Sequence, residues 1–329
     1  MYDTHYDLLT SLYFNFKDNN PLANKEKLID DVKRIYDNNI NGGFINLYFM
    51  SEKEMKEELG IEKEELSDVV KMFKTSVDLL NQFKEEGIIP NDINFLYSIE
   101  GCDYLNIEDL EPLYKLGLRS ILPVWNEPNK YGSGYRSDKG LTEDGKRLIK
   151  KAIDLGIIID VSHANERTFY DMMKVIKNEQ AEGKEVLVIA SHSNAKTLCD
   201  RKRNLTDEQL LMLKEVGGFI GLFTNGNFVS LDNDDLNYDQ RQDNFIKHIK
   251  HIREVIGFSD DRIILSTDDM NFNPDTSYHG LECFKIETVS IDLRTKLKES
   301  FDDAFIDKIM VDNASDIIDR VNNKSKVLL

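Results

Sequence analysis

Short apolar runs alternate with longer amphipathic stretches along the chain, and this alternation repeats eight times. Each run has five to seven residues and is rich in β-branched side chains, which predicts a buried β-strand. The predicted strands are Tyr2–Asp7, Gly43–Phe49, Ile93–Ile99, Arg119–Val124, Ile157–Val161, Val186–Ala190, Phe219–Phe223 and Arg262–Ser266.

The stretches between these runs carry apolar residues at helical spacing. The predicted helices are Glu52–Glu86, Leu141–Leu155, Glu166–Lys177, Thr206–Lys214 and Asp239–Ile256, with Thr142 and Thr206 as N-caps. Two polar stretches, Trp125–Tyr135 and Asp232–Gln242, are predicted loops. Eightfold strand–helix alternation favours a closed TIM-type (β/α)8 barrel over an open sheet. Because no linker divides the chain, we predict one domain over residues 1–329.

The charge and the cysteines narrow the functional classes. The chain has 42 Lys and Arg against 60 Asp and Glu, a formal net charge of −18, which disfavours nucleic acid and anionic membrane surfaces as partners. It has no basic segment followed by an apolar run and no apolar stretch of roughly 18 residues, so we predict a cytoplasmic protein. Cys102, Cys199 and Cys283 are widely spaced, which predicts free thiols.

Residue types that commonly bind metals occur in the first predicted strand and directly after later ones. His5 and Asp7 are two apart on a strand, so both side chains point to one face. The C-terminal ends of parallel barrel strands open onto the same face, where active sites of this fold are built. The residues of this type that follow later strands are Glu100, His163, His192 and Asp268. We therefore expect all six residues to gather at this end of the barrel, which we call the mouth.

Six such groups exceed the ligands of one tetrahedral zinc ion, which favours two metal ions spaced roughly 3.5–4 Å apart and bridged by Glu100. Two ions would lower the pKa of a shared water toward about 7 and polarise a carbonyl, so the predicted nucleophile is a metal-bound hydroxide. Asp268 would accept a proton and pass it to the leaving group. This pattern predicts a metal-dependent hydrolase of amides or esters.

Four motifs of the chain resemble those of the membrane dipeptidase (renal dipeptidase) family of zinc metallopeptidases, within the amidohydrolase-like barrels. The likeness runs nearly end to end. The matching segments are Asp3-Thr4-His5-Tyr6-Asp7, Ile99-Glu100-Gly101, Asp160-Val161-Ser162-His163 and Ser191-His192-Ser193. Arg201-Lys202-Arg203-Asn204 resembles the family's Arg-Asn segment, and Lys308-Ile309 with Asp312-Asn313-Ala314 more loosely resembles its C-terminal Gly-Gly-Asn region.

The resemblance implies a role for each site residue. His5 and Asp7 would hold the first zinc ion, His163 and His192 the second, and Glu100 would bridge them. Asp268 would sit beside the first metal and handle protons. Arg203 would bind the terminal carboxylate of a peptide through paired hydrogen bonds, the alternative being a solvated arginine in a basic cluster. The family hydrolyses short peptides, including L,D dipeptides, and tends to form homodimers.

Two departures from the family pattern concern the substrate. Trp125 replaces a histidine that contacts substrate in the vertebrate enzymes; an indole neither titrates nor ligates a metal, and its alternative role is packing at the rim. In the second departure, Asp269 and Met270 follow Asp268 where the family has Phe-Asp, so that a rival carboxylate adjoins the catalytic candidate.

The residues considered so far leave two alternative functions and three further histidines. The same barrel could hydrolyse N-acyl amino acids, lactones or other amides. A non-enzymatic binding protein with structural metals is the remaining alternative. His248 and His251 lie three residues apart on a predicted helix and are interpreted as surface or packing residues, and His279 as a loop residue.

Overall fold

The computed structural model describes residues 1–17, 20, 22–37, 40–268, 282–285 and 288–328. All eight predicted strands are present within one or two residues of their expected bounds. They are β1 (Tyr2–Tyr6), β2 (Gly42–Tyr48), β3 (Asn94–Glu100), β4 (Leu118–Leu122), β5 (Ile158–Asp160), β6 (Val188–Ala190), β7 (Phe219–Phe223) and β8 (Ile263–Ser266).

The strands form one parallel sheet in chain order, so each strand pairs with the next. The first and last strands also meet. The backbone N–H of Asp268 donates to the His5 carbonyl at 3.1 Å, and Thr4 Oγ1 donates to the Leu265 carbonyl at 2.9 Å. These bonds nearly close the sheet, which confirms the predicted TIM-type barrel.

Helices fill the connections and cover the outside of the barrel. In the described residues they are α1 (Leu8–Phe16), α2 (Lys25–Asp37), α3 (Glu52–Leu59), α4 (Lys63–Leu66), α5 (Val69–Glu85), α6 (Leu110–Lys115), α7 (Glu143–Asp154), α8 (Glu166–Ala181), α9 (Asp207–Glu215), α10 (Tyr238–Val255), α11 (Val289–Leu297), α12 (Asp303–Asp307) and α13 (Asn313–Leu328), with a π-helical turn at Lys308–Asp312. Among them, no helix combines the length and the apolar character that a bilayer span requires.

The N-caps predicted at Thr142 and Thr206 are confirmed, since their side chains accept from Gly145 N and Gln209 N. The continuous helix predicted over Glu52–Glu86 is wrong. Gly60 takes a left-handed conformation, with φ of 60°, and ends α3.

The loop predicted over Asp232–Gln242 is also wrong in its second half. Asn237 and Gln240 form a capping box that starts α10 at Tyr238. The Asn and Asp residues of this stretch therefore start a helix there. Trp125–Tyr135 contains no helix or strand and is the predicted loop.

The polarity of the side chains inside the barrel changes along the strands. Near the N-terminal ends, one apolar side chain from each of seven strands joins a buried cluster with α13; these are Tyr2, Phe44, Leu96, Ile158, Ile189, Phe219 and Ile264. Two positions further along each strand the buried residue is small or polar; these are Thr4, Asn46, Ser98, Asp160, Ser191, Gly221 and Ser266. Because alternate residues share a face, both sets point inward.

A bulge in β1 turns the first metal-ligand candidates toward the barrel axis. Asp3 pairs with Gly43 but Tyr6 pairs with Ile45, so β1 has one more residue than β2 between these two pairs. Such a bulge reverses the alternation beyond it. Tyr6 consequently packs outward, where its hydroxyl lies 2.7 Å from that of Tyr36 on α2, and His5 enters the barrel mouth.

Candidate metal centre

Glu100 ends β3 at the centre of the mouth, and its two carboxylate oxygens face different histidines. Oε2 lies 2.9 Å from His5 Nε2, and Oε1 lies 2.9 Å from His163 Nε2. His192 Nε2 is 3.7 Å from Oε1. All four side chains are buried. The structure therefore brings together four of the predicted residues, with three histidines around one carboxylate.

His163 and His192 converge from neighbouring strand ends. Their Nε2 atoms are 2.9 Å apart, while their Nδ1 atoms have other partners. His163 Nδ1 donates to Asn126 Oδ1 at 2.8 Å, which leaves the Nε2 lone pair pointing into the mouth. Sequence reasoning missed Asn126; its place in the predicted loop after β4 was the available signal.

Ser191 links the two sides of the mouth. Its Oγ lies 3.1 Å from His5 Nδ1 and 2.7 Å from His192 Nδ1. Both imidazoles are thereby held with Nε2 inward, the arrangement usual for histidines that bind metals.

Asp7 is buried at the start of α1, and its side chain makes no capping bond to that helix. Its negative charge helps to raise the pKa of His5. Single donor atoms from His5, Glu100 and His192 lie within 4.8 Å of one another. Imidazole and carboxylate donors at this spacing are the chemistry that zinc and similar divalent ions take. The residues present therefore fit a metal centre.

Burial and mutual charge shift the pKa values of these groups in opposite directions. Burial alone would lower the pKa of His5, but the facing Glu100 carboxylate raises it to about 10. Burial and the nearby Arg203 guanidinium lower the pKa of His163 to about 3. Burial, with His5 and Arg203 adding, takes the pKa of His192 well below its usual range. His163 and His192 are therefore neutral at pH 7, the form in which imidazole binds a metal.

Asp268 lies at the edge of this cluster with its Oδ1 3.9 Å from His5 Nε2. Burial, reinforced by the Glu100 charge, raises its pKa to about 7, whereas His5 and Arg203 oppose the rise. A carboxyl with this pKa both accepts and donates protons near neutral pH. Asp269, Met270 and His279 lie outside the described residues.

Two residues of the mouth have left-handed backbone conformations. His163 has φ of 65° and Asp268 has φ of 57°. Such a conformation costs of order 1–3 kcal/mol for a residue other than glycine, and surrounding contacts must hold it in place. Strain of this kind is concentrated at functional sites in proteins.

Arg203 is buried, with 6% of its surface exposed, so the alternative of a solvated arginine is wrong. Its Nη2 donates to the His192 carbonyl at 3.4 Å, while its buried Nη1 has no hydrogen-bond partner among the described residues. Ser193 Oγ is likewise buried without a described partner. Both residues line a cleft beside His163 together with Lys196 and Lys202. Unpartnered donors beside a fixed positive charge suit an anionic ligand.

Trp125 stands at the rim of the mouth and is partly exposed. Its ring packs edge-on against Tyr48, with centroids 5.2 Å apart, and its centroid is 6.1 Å from that of His163. The indole therefore has the packing role, and it also forms a wall beside His163, a candidate metal ligand.

The two helix histidines have partners outside this cluster. His248 accepts from Ala195 N at 3.0 Å and lies 3.0 Å from the Val229 carbonyl, and His251 Nε2 is 2.8 Å from Asp207 Oδ1. Their interpretation as packing and surface residues agrees with these contacts.

The sequence profile of the membrane dipeptidase family, peptidase family M19, matches residues 1–328. The chain belongs to this family. Among solved structures, a metallopeptidase from Rhodobacter sphaeroides, liganded with a phosphinate mimic of the dipeptide L-Ala-D-Ala, superposes with a TM-score of 0.71. It is 21% identical, and the match covers 97% of this chain and 98% of that chain. At this identity the likeness shows the fold.

Two curated bacterial proteins match shorter segments. An uncharacterised protein encoded in the PQQ-III 3′ region of Acinetobacter calcoaceticus is 33% identical over 168 residues, which are 48% of this chain and 50% of that protein. Another from the pqqA 5′ region of Klebsiella pneumoniae is 35% identical over 186 residues, 52% of this chain and 62% of that protein. The match thus spans half to less than two thirds of each relative.

Proposed function

We propose that this member of the membrane dipeptidase family is a metal-dependent dipeptidase that binds two zinc ions at the barrel mouth. The observation that carries the proposal is the Glu100 carboxylate, whose two oxygens each face a different histidine at 2.9 Å. A carboxylate in this position suits a bridge between two ions. Family membership supports the peptidase activity.

The ligands divide between the two sides of Glu100. His5 of β1 and Asp7, which directly follows that strand, would hold one ion. His163 and His192, which converge from the ends of β5 and β6, would hold the other. Two such ions supply an activated water and polarise the scissile carbonyl.

Asp268 is the proposed proton carrier. Its carboxyl accepts a proton at Oδ1 when the attacking water is deprotonated and donates it to the departing amine. The pKa of about 7 and the partial exposure support this role, since the group must exchange protons with a substrate. Asp269, the neighbouring carboxylate, lies outside the described residues. We therefore assign the proton-carrier role to Asp268.

Arg203 is the proposed carboxylate anchor. A peptide carboxylate in the cleft would pair with Nη1 and meet Ser193 Oγ, two buried donors without described partners. Trp125 would form the wall on the His163 side and exclude water from the peptide. The mimic of L-Ala-D-Ala bound by the Rhodobacter sphaeroides metallopeptidase supports L,D dipeptides as substrates, and L,L dipeptides are the second class that we propose.

Elemental analysis combined with a dipeptide panel tests the proposal. The purified chain should contain about two zinc ions, as a dimetal centre requires. It should cleave L,L or L,D dipeptides, lose cleavage after chelation and regain it when zinc is restored. Metal without dipeptide cleavage, but with cleavage of an N-acyl amino acid or a lactone, would support the alternative hydrolase. A metal-free chain that cleaves dipeptides would contradict the centre.

We further propose a cytoplasmic location and assembly as a homodimer. The three cysteines are buried and unpaired, which supports a reducing compartment. Sedimentation of the purified chain tests the dimer, and the single catalytic domain over residues 1–329 stays a prediction.

A further inference from the structure

Two buried aspartates beneath the mouth make the same pattern of bonds at different strands. Asp3 Oδ1 accepts from the backbone N–H of His5, two residues on, at 3.2 Å, and from that of Thr267 on the neighbouring strand end at 3.0 Å. Asp160 Oδ1 accepts from the N–H of Ser162, again two residues on, at 3.0 Å, and from that of Ser191 on the neighbouring strand end at 3.1 Å.

Each aspartate therefore ties together two strand ends that carry site residues. Asp3 joins β1 to the end of β8, and the bonded amides belong to His5 itself and to the residue before Asp268. Asp160 joins β5 to the end of β6, and the bonded amides belong to the residues before His163 and His192. One carboxylate thus serves each proposed ligand group.

The backbone strain of the mouth coincides with these two ties. His163 and Asp268, the two left-handed residues of the site, each directly follow a residue whose N–H is bonded by one of the aspartates. A left-handed residue other than glycine needs neighbouring bonds that hold it. A charge-assisted bond to a buried carboxylate is among the stronger ones available.

We propose that Asp3 and Asp160 are positioning residues that act mainly on different metal-binding sides, Asp3 on the side of His5 and Asp160 on the side of His163 and His192. Asp160 also reaches His5 through Ser191, whose amide it binds and whose Oγ lies 3.1 Å from His5 Nδ1. The inference rests on the proposed two-metal centre and is independent of the peptide substrate. Both aspartates are buried, with 1% of their surfaces exposed, beneath the groups that face the mouth. Each acts by fixing the distance between the ends of two neighbouring strands, from which the ligand side chains project.

The test is a calorimetric titration of Zn²⁺ into the metal-free 329-residue chain. The affinities of the binding events are compared among variants. Wild type should show two binding events. Asp160→Ala should weaken one event by about 10–100-fold, the usual effect of losing a group that orients metal ligands, and weaken the other much less. Asp3→Ala should weaken the other event. Asp160→Asn and Asp3→Asn retain an acceptor oxygen and should restore most of the affinity.

A double-variant cycle identifies which side each aspartate serves. If Asp160 acts through His192, adding Asp160→Ala to His192→Ala should cost little further affinity, whereas adding Asp3→Ala to His192→Ala should cost its full effect. The Asn variants allow the same cycle if an alanine variant does not fold.

A merely structural role gives a different result. Ile317→Ala, at the opposite end of the barrel, provides the control for a destabilised chain with an intact mouth. If the aspartate variants lose stability as Ile317→Ala does but keep both affinities, or if each weakens both events equally, the inference is wrong. A wild-type chain that binds fewer than two ions contradicts the two-metal centre itself.

Discussion

At the base of the barrel, apolar side chains from seven strands pack against Ile317, Ile318 and Val321 of α13, and all are buried. At the mouth, five of these seven strands, β1, β3, β5, β6 and β8, contribute the histidines and carboxylates, and the backbone is strained at two of these residues. Asn313 fixes the start of α13 by donating to the Ile263 carbonyl at 2.7 Å. The base therefore stabilises the barrel, while the mouth holds groups whose burial is unfavourable without partners.

The comparison indicates that stability and chemistry are separated along the barrel axis. Replacing a mouth residue should change metal binding and catalysis, and replacing a base residue should change the free energy of unfolding. This division is typical of barrel enzymes, whose active sites lie at the C-terminal ends of the strands. Four variants test it.

Glu100→Gln should have the largest effect. The amide keeps the shape of the side chain but removes the negative charge between the histidines, so we expect activity to fall by more than about 100-fold and metal to be retained poorly. Steady-state kinetics and elemental analysis measure both. Glu179→Gln is the matched control, because Glu179 is equally buried but pairs with Lys150 and Lys184 on the outside of the barrel. An unaffected Glu100→Gln enzyme would refute the bridging role.

Ile317→Ala should show the opposite profile. Removing a fully buried side chain from the base should lower the free energy of unfolding by about 2–5 kcal/mol. Metal content and the rate per folded molecule should stay unchanged. Denaturant unfolding and metal analysis of the same preparation check both parts. A variant that loses metal while remaining folded would break the separation between base and mouth.

Arg203→Ala should affect only substrates with a free carboxylate. Losing a charge-assisted pair should raise KM by roughly 10–100-fold for dipeptides, with a smaller change for C-terminally amidated analogues. Arg201→Ala is the control, since Arg201 is exposed and only two residues away. Equal losses on both kinds of substrate would make Arg203 a structural residue.

The burial of His248 makes the stability of the fold sensitive to acid, because this residue holds the loops that follow β6 and β7. Burial lowers its pKa from 6.5 to about 4, so the neutral form stabilises the fold above pH 6.5 and this stability is lost as the pH falls toward 4. Between pH 7 and 5 the loss should be of order 2 kcal/mol. His248→Gln should reduce that pH dependence. Unfolding measured across this pH range provides the readout, and identical slopes would exclude His248 as the cause.

The eight strands were predictable because short β-branched runs are a local signal that depends little on distant residues. The gathering of His5, Glu100, His163, His192 and Asp268 was predictable for a related reason, since parallel barrel strands end on one face. The break at Gly60 and the helix start at Asn237 were missed, because a polar segment of Gly, Asn or Asp residues either ends a helix or starts one.

The sequence by itself thus determined the fold class and the residue types at the mouth. Only the tertiary structure decided how they meet: the bulge that turns His5 inward, Asn126 behind His163, and the bonds of Asp3 and Asp160 to neighbouring strands. These contacts join residues up to 264 positions apart. They depend on strand register and barrel closure, which no local pattern of side chains specifies.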